Sequence, residues 1–255
     1  MILQALTRLF EDLVRQGKLS APGWSKAKIS YALCLDENGA LVAVMPTQHE
    51  EQVGKKTVLR PNLIQLPSPV KRTVGVLPNF LWDNSSYLLG VDEKGKPARS
   101  RECFAECRTL HHELLDGVNT PAAKAILCFF DGWDPEKADS CPALADSLSE
   151  ILKGGNLTFQ VSGLFAGEDP AIQAAWNTHY NRDSGERQQC LVTGNMDAPE
   201  ATHPAIKGVY GAQSSGAAMV SFNASAFCSY GKEQSLNAPV GKYAAFAYTS
   251  ALNYL

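Results

Sequence analysis

Three capping residues each stand directly before a proline: Thr120-Pro121, Asp134-Pro135 and Asp169-Pro170. A side-chain oxygen accepts the first unpaired N–H groups of a helix, and proline at the next position has its φ pre-set and no N–H to lose. Each pair therefore predicts a helix start, and the three together make the middle of the chain helical. On either side the periodicity changes. Ile29, Tyr31, Leu33 and Leu35 alternate as in a half-buried strand, and Asn38-Gly39 precedes Leu41–Met45, so 28–45 reads as a hairpin. Leu157, Phe159 and Val161 alternate in the same way. Two periods in separate blocks specify an α+β fold. It should have mixed antiparallel strands and hairpins with a central helical layer; strand order does not follow from the sequence.

The other segments are read by the same rules. Residues 2–16 predict a helix with Ile2, Leu6, Leu9 and Leu13 on one face and Gly17 at its end. Residues 46–80, with five prolines, read as irregular, and Tyr87–Val91 as a short strand. Cys103, Cys107, Leu110 and Leu114 form one helical stripe, and Leu144–Leu152 reads as a helix closed by Gly154-Gly155. Residues 190–222 look like short strands and glycine-rich loops, and 242–255 return to helix. That helix reaches Leu255 with no cap or polar tail, which reads as the N-terminal portion of a longer protein. A subdivision is expected near residue 155.

With 255 residues, 45% of them hydrophobic, the chain is long enough for a substantial core. No apolar run approaches the ~18–20 residues of a membrane span. Seven scattered cysteines and no export signal predict free thiols in a reducing, cytoplasmic setting. A net charge of −3 argues against nucleic-acid binding through bulk charge. The charge is uneven, however. Between Lys55 and Arg108 there are ten basic and five acidic residues, or +5, which leaves −8 on the rest.

Enzyme signatures are absent. G-x-S-x-G and G-x-G-x-x-G do not occur. Gly211 and Gly216 have phosphate-loop spacing, but Ala217 and Ala218 stand where Lys and Ser/Thr belong. Of Cys103, Cys107, His111 and His112, one helix could present three along a face, yet zinc sites draw on more than one element and the cysteines lie on the apolar stripe, so core packing is the expected role. No metal or cofactor is expected.

Two segments carry recognition chemistry. Gly208–Ser235 combines glycines, small polar residues and aromatics, and its only charges are Lys232 and Glu233. Glycines admit close backbone approach, and amides read base edges; a plain strand–loop–strand is the other reading. Lys71–Ser86 interleaves two cations with Asn79, Asp83, Asn84, Phe80 and Trp82, which suits a nucleic-acid groove or, equally, a loop anchored by its aromatics.

Long stretches resemble one family. The opening MILQAL and GKLSAPGWSKAKISYAL, then NFLWDNSSYLLGVDEKGKPAR and CFAECRTLHHELLDGVNTPAAKAILCFF, look like the start of the large subunit of the type I-C CRISPR effector complex, Cascade. So do QCLVTG, HPAIKGVYGAQSSGAAMVSFNASAF and SYGKEQSLNAPVGKYAAFAYTSALNYL, in order along essentially the whole chain. The resemblance implies a non-enzymatic subunit that reads the protospacer-adjacent motif (PAM) on double-stranded DNA and helps open the duplex. It implies a place near the 5′ handle of the guide RNA, among other Cascade subunits. It also implies a C-terminal helical part, beyond this chain, that helps recruit a nuclease-helicase. A basic groove would be a natural target for an acidic phage anti-CRISPR protein.

Within that reading, Lys71, Arg72 and Asn84 are expected to contact phosphates and bases. Gln213, Ser214, Ser215 and Asn223 are expected to read the groove or wedge the strands apart. Lys55, Lys56, Arg60, Lys207 and Lys232 are expected on the DNA backbone or guide RNA. The alternative is a purely structural subunit that docks on the guide RNA handle and its neighbours.

Overall fold

The chain opens with a helix, α1 (Ile2–Arg15). Strands follow: β1 (Trp24–Ile29), β2 (Tyr31–Leu35), β3 (Leu41–Pro46), β4 (His49–Val53), β5 (Lys56–Arg60), β6 (Asn62–Pro67) and the short β7 (Trp82–Asp83). The middle holds α2 (Ser85–Leu88), α3 (Pro97–Leu115), α4 (Pro121–Gly132), α5 (Leu148–Leu152), β8 (Leu157–Val161), β9 (Leu164–Phe165) and α6 (Pro170–Tyr180). The last elements are β10 (Gln188–Gln189), β11 (Met196–Asp197) and α7 (Lys242–Tyr254). This computed structural model describes all residues except Lys55, Lys71, Thr73, Val74, Lys94, Gly95, 183–186, Ser215 and Asn223, and except the side chains of Val53 and Lys56. The fold is mixed α+β. It forms two compact units, one of Met1–Pro22 with Arg182–Leu255, the other Gly23–Asn181.

The cap–proline pairs act as helix starts. Thr120 Oγ1 accepts the Ala123 N–H at 3.3 Å, and Asp169 Oδ1 accepts those of Ala171 and Ile172 at 2.8 and 3.2 Å. Asp134 caps a 3-10 turn, Pro135–Ser140, instead of an α-helix. The helix expected from Leu144 begins only at Leu148, after another 3-10 turn. Two further segments differ from expectation. Residues 46–80 contain β4, β5 and β6, because their prolines stand at strand ends (Pro46, Pro67) or outside the strands (Pro61, Pro69, Pro78), where no ladder N–H is lost. Tyr87–Val91 is not a strand: Asn84 accepts the Ser86 N–H at 3.0 Å and starts α2 there.

In the Gly23–Asn181 unit the main sheet has the order β3-β2-β8-β7, with β9 also on β8. The expected hairpin is β2–β3, antiparallel from Tyr31↔Pro46 to Leu35↔Leu41. β2 and β8 are parallel, from Tyr31↔Leu157 to Leu35↔Val161. Helix α4 packs on β8 and β2, and α3 packs on α4 and α6. At the hairpin tip Gly39 has φ 80°, and a Cβ there would lie 2.5 Å from the Ala125 carbonyl oxygen and the Phe129 nitrogen of α4. β1–β6 and β4–β5 are separate two-stranded antiparallel ribbons.

At the centre of this unit lies His111, fully buried among Phe80, Phe130 and Phe159. Its Nδ1 is 2.7 Å from the Cys107 carbonyl oxygen, and its Nε2 is 3.1 Å from the Leu81 nitrogen. A carbonyl only accepts and an amide N–H only donates, so the ring is neutral with its proton on Nδ1. Leu81 is itself fully buried and has φ 67°, a left-handed conformation unusual for leucine. Its carbonyl accepts the buried Thr158 hydroxyl at 2.9 Å. With both ring nitrogens taken by backbone, His111 keeps no lone pair for a metal, and Cys103 and Cys107 pack in the core. Among the described residues no three His, Cys, Asp or Glu side chains converge as metal ligands.

In the other unit α1 and α7 pack together. The buried face of α1 is Leu6, Thr7, Phe10 and Leu13, whereas Ile2 is exposed. Phe10 sets that face. It meets Phe246 and Tyr243 edge-on, with centroids 5.6 and 6.3 Å away. Ala244, Ala245, Ala247 and Ala251 are fully buried and let α1 approach closely. Tyr248 hydrogen-bonds His203 Nδ1 at 2.6 Å, and burial pushes the Tyr248 hydroxyl up to about 12.

Burial lowers His111 from 6.5 to about 4. The neutral ring is the folded form, so its contribution is complete above pH 6.5 and is lost as pH falls toward 4. That difference amounts to about 3 kcal/mol. The urea midpoint should drop over this window, and NMR should show the His111 ring unprotonated until close to pH 4. A ring titrating near 6.5 would contradict the assignment. Replacing His111 by Gln, which donates and accepts without titrating, should flatten the dependence.

Candidate nucleic-acid interface

The two recognition segments fall in different units: Lys71–Ser86 in one, Gly208–Ser235 in the other. Lys71, Ser215, Asn223 and Lys55 lie outside the described residues, as does the Lys56 side chain.

In the first segment the aromatics are core. Phe80 is 1% exposed and stacks on Trp176 at 5.6 Å. Trp82 is buried and donates its indole N–H to the Pro67 carbonyl at 2.8 Å. Asp83 is 1% exposed and accepts the backbone N–H groups of Asn79 and Asn84, both at 2.9 Å. Arg72 closes the arrangement. It ion-pairs with Asp83, donates to the Leu77 carbonyl at 2.7 Å, and lies 4.3 Å from the Tyr87 ring centroid. Burial pushes the Asp83 carboxyl above its usual range, and Arg72 and the two amides pull it back. Asn84, the other expected contact, uses its side-chain oxygen as the cap of α2. Asn79 Oδ1 accepts the Val70 N–H at 3.0 Å and ties the loop shut.

The local excess of positive charge is largely answered in space. Each arginine between Lys55 and Arg108 meets a carboxylate: Arg60 with Glu51, Arg72 with Asp83, Arg99 with Glu102, Arg101 with Glu136, and Arg108 with Asp131. Three of these acids, Glu51, Asp131 and Glu136, come from outside the segment. Arg60 thus sits across the β4–β5 ribbon from its partner, at 2.9 Å.

The second segment is organised differently. Ile206 and Ala217 exchange both backbone hydrogen bonds at 2.8 Å, forming the root of a loop. Gly216 is required there, because it has φ 113° and a Cβ would lie 2.7 Å from that of Ala205. Asn253 of α7 holds the same root, accepting the Lys207 N–H at 2.7 Å and donating to the Ala205 carbonyl at 3.1 Å. Gln213 and Ser214 stand exposed in the turn that leads into this root, where the Gln213 carbonyl accepts the Gly216 N–H at 2.9 Å. A second turn carries the exposed Lys232. Asn237 clamps it, accepting the Ser229 N–H at 2.9 Å and donating to the carbonyls of Lys232 and Gln234 at 3.1 and 2.9 Å. Sequence reasoning missed Asn237 and Asn253 as organisers. Their only signal was polarity in an otherwise apolar helical stretch and beside a turn.

A model of the CRISPR-associated protein (Cas_Csd1) family matches residues 6–255. The chain belongs to this family. It is the large-subunit family of type I-C Cascade, so the resemblance read from the motifs is correct and the chain is a component of a CRISPR complex. No curated protein matches it. Among the described residues no helix of this Cas_Csd1 chain is long and apolar enough to cross a membrane.

Arg72 can be tested as a structural residue first. Arg72→Ala leaves the Asp83 carboxylate buried without its ion pair. The loss should be about 2–3 kcal/mol, below the full value for a buried pair because Arg72 is partly exposed. Urea denaturation measures it. An unchanged midpoint would show that the pair does not hold this loop. DNA binding by this variant has meaning only beside that measurement.

Proposed function

We propose that this chain is the non-catalytic DNA-recognition component of its CRISPR complex, acting in the cytoplasm. It reads the PAM on duplex DNA and helps open the duplex for guide RNA pairing. In such complexes base pairing supplies target specificity, so the protein needs to read only a short motif and part the strands. The observation that carries the reading is the loop between Ile206 and Ala217. Its root is fixed by two backbone hydrogen bonds and by Asn253, and Gln213 and Ser214 are left exposed in the turn beside that root. A fixed backbone with exposed amide and hydroxyl groups suits groove reading, where an amide forms paired hydrogen bonds to a base edge. Lys207 and Lys232, exposed beside such turns, suit phosphate contacts.

Other partners follow from the same reading: the guide RNA 5′ handle, neighbouring Cascade subunits, the nuclease-helicase and an acidic anti-CRISPR protein. One observation favours the purely structural alternative. The arginines of the basic segment already have carboxylate partners, which suits a scaffold more than a phosphate groove.

In the assembled complex, Gln213→Ala should slow PAM-dependent duplex opening at least severalfold while leaving assembly intact. An unchanged opening rate would remove Gln213 from the site. The double variant Lys207→Ala, Lys232→Ala should weaken binding about equally across DNA sequences. It should also reduce the slope of log affinity against log salt by about 1–2. An effect confined to one PAM sequence would make these lysines base readers instead.

A further inference from the structure

Two tyrosines stand apart from the other six. Tyr210 and Tyr230 are 104% and 98% exposed, whereas no other tyrosine exceeds 46%. Tyrosine is normally half-buried or more, since its ring is apolar. Both exposed rings occupy the same local device. Val209-Tyr210-Gly211-Ala212 is a turn closed by the Ala212 N–H to the Val209 carbonyl at 3.2 Å, with Gly211 at φ 77°. Ser229-Tyr230-Gly231-Lys232 is a turn closed by the Lys232 N–H to the Ser229 carbonyl at 2.9 Å. There Tyr230 and Gly231 both have positive φ, 53° and 69°, which is the type I′ pattern. Each turn thus carries Tyr-Gly at its tip, and each root is clamped by an asparagine side chain, Asn253 or Asn237.

Tyr230 also runs against local preference. The first tip position of a type I′ turn favours Asn, Asp or Gly, and a bulky residue there is strained. Such strain without a packing return is a pointer to function. In sequence each turn has a cation close by, Lys207 three residues before Tyr210 and Lys232 two after Tyr230, and Glu233 is the only acid from Lys207 to Ser235.

We infer that Tyr210 and Tyr230 are stacking platforms for unpaired nucleobases of the opened DNA. A rigid, exposed aromatic ring beside a cation is what sequence-tolerant binding of single-stranded bases requires. The assignment rests on the DNA-recognition reading above, with a different role: Gln213 would read paired bases, and the tyrosines would hold bases once they part.

The test uses the assembled complex and two DNA probes. One is a duplex pool randomised beside the target, which measures PAM preference. The other is a duplex whose target-side base pairs next to the PAM are mismatched and therefore already open. Tyr210→Ala and Tyr230→Ala should each weaken binding to the open probe by roughly fivefold to a hundredfold, the range for one stacked base. PAM preference and complex assembly should stay as in the wild type. Tyr210→Phe and Tyr230→Phe should restore binding, because the ring face is what stacks. Tyr230→Asn should keep or raise the melting temperature, since it suits the turn, and yet bind as weakly as Tyr230→Ala.

Wild-type binding of the open probe by both alanine variants, with PAM preference present, overturns the stacking assignment and leaves the DNA reading standing. A wild-type complex with no PAM preference and no affinity for the open probe overturns both. Phenylalanine variants as weak as alanine would point to the hydroxyls, and alanine variants that fail to assemble would make the rings protein contacts. Either result overturns the inference.

Discussion

The Leu81 peptide unit is the joint on which the Gly23–Asn181 unit depends. A left-handed leucine costs roughly 1–2 kcal/mol, and it persists only where its surroundings over-determine it. Here a neutral His111 accepts its N–H and the Thr158 hydroxyl donates to its carbonyl, with all three residues fully buried. Because the backbone turns at this point, Phe80 and Trp82 both enter the core, and Asp83 arrives where it gathers two backbone amides and Arg72. A buried titratable ring therefore sets the path of an entire loop. That histidine can do so only while uncharged, which ties the stability of the unit to pH.

The two recognition segments solve opposite problems. The loop around Arg72 is closed from within: a buried carboxylate, an aromatic face and backbone carbonyls occupy its polar groups. The loops of 206–217 and 229–232 are closed at their roots by backbone pairs and asparagine clamps, and their tips remain in solvent. The second design holds a backbone in place without using up the side chains that would meet a ligand. Glycines make it possible, most plainly at Gly216, where even a methyl group would collide with Ala205. This contrast, more than charge, directs attention to Gly208–Ser235 in a member of the Cas_Csd1 family.

Much of the fold was legible because its signals are local. A cap before a proline acts within one turn, and Asn38-Gly39 sets a hairpin whatever lies beyond it. Capping also explains the clearest misreading, at Tyr87–Val91, where the signal was Asn84 just upstream and the apolar run drew attention away from it. The face of α1 was only partly legible, because Phe10 and its ring partners on α7 are brought together from opposite ends of the sequence. For the candidate site, composition singled out two segments with recognition chemistry. It did not separate Arg72, held inside the fold, from Gln213, exposed on a loop.

The sequence by itself determined the class α+β, the helix starts at Pro121 and Pro170, the β2–β3 hairpin, and membership of a CRISPR large-subunit family. Each rests on neighbouring residues or on long ordered motifs, so no distant contact is needed to see it. Only the tertiary structure decided the parallel pairing of β2 with β8, the carboxylate that answers each arginine of the basic segment, and the protonation state of His111. Four of the five arginine pairs are half-exposed surface contacts; the strand pairing and the histidine depend on groups far apart in the chain meeting where water is scarce. There the cost of an unpaired polar group, and not the identity of any one residue, selects the partner.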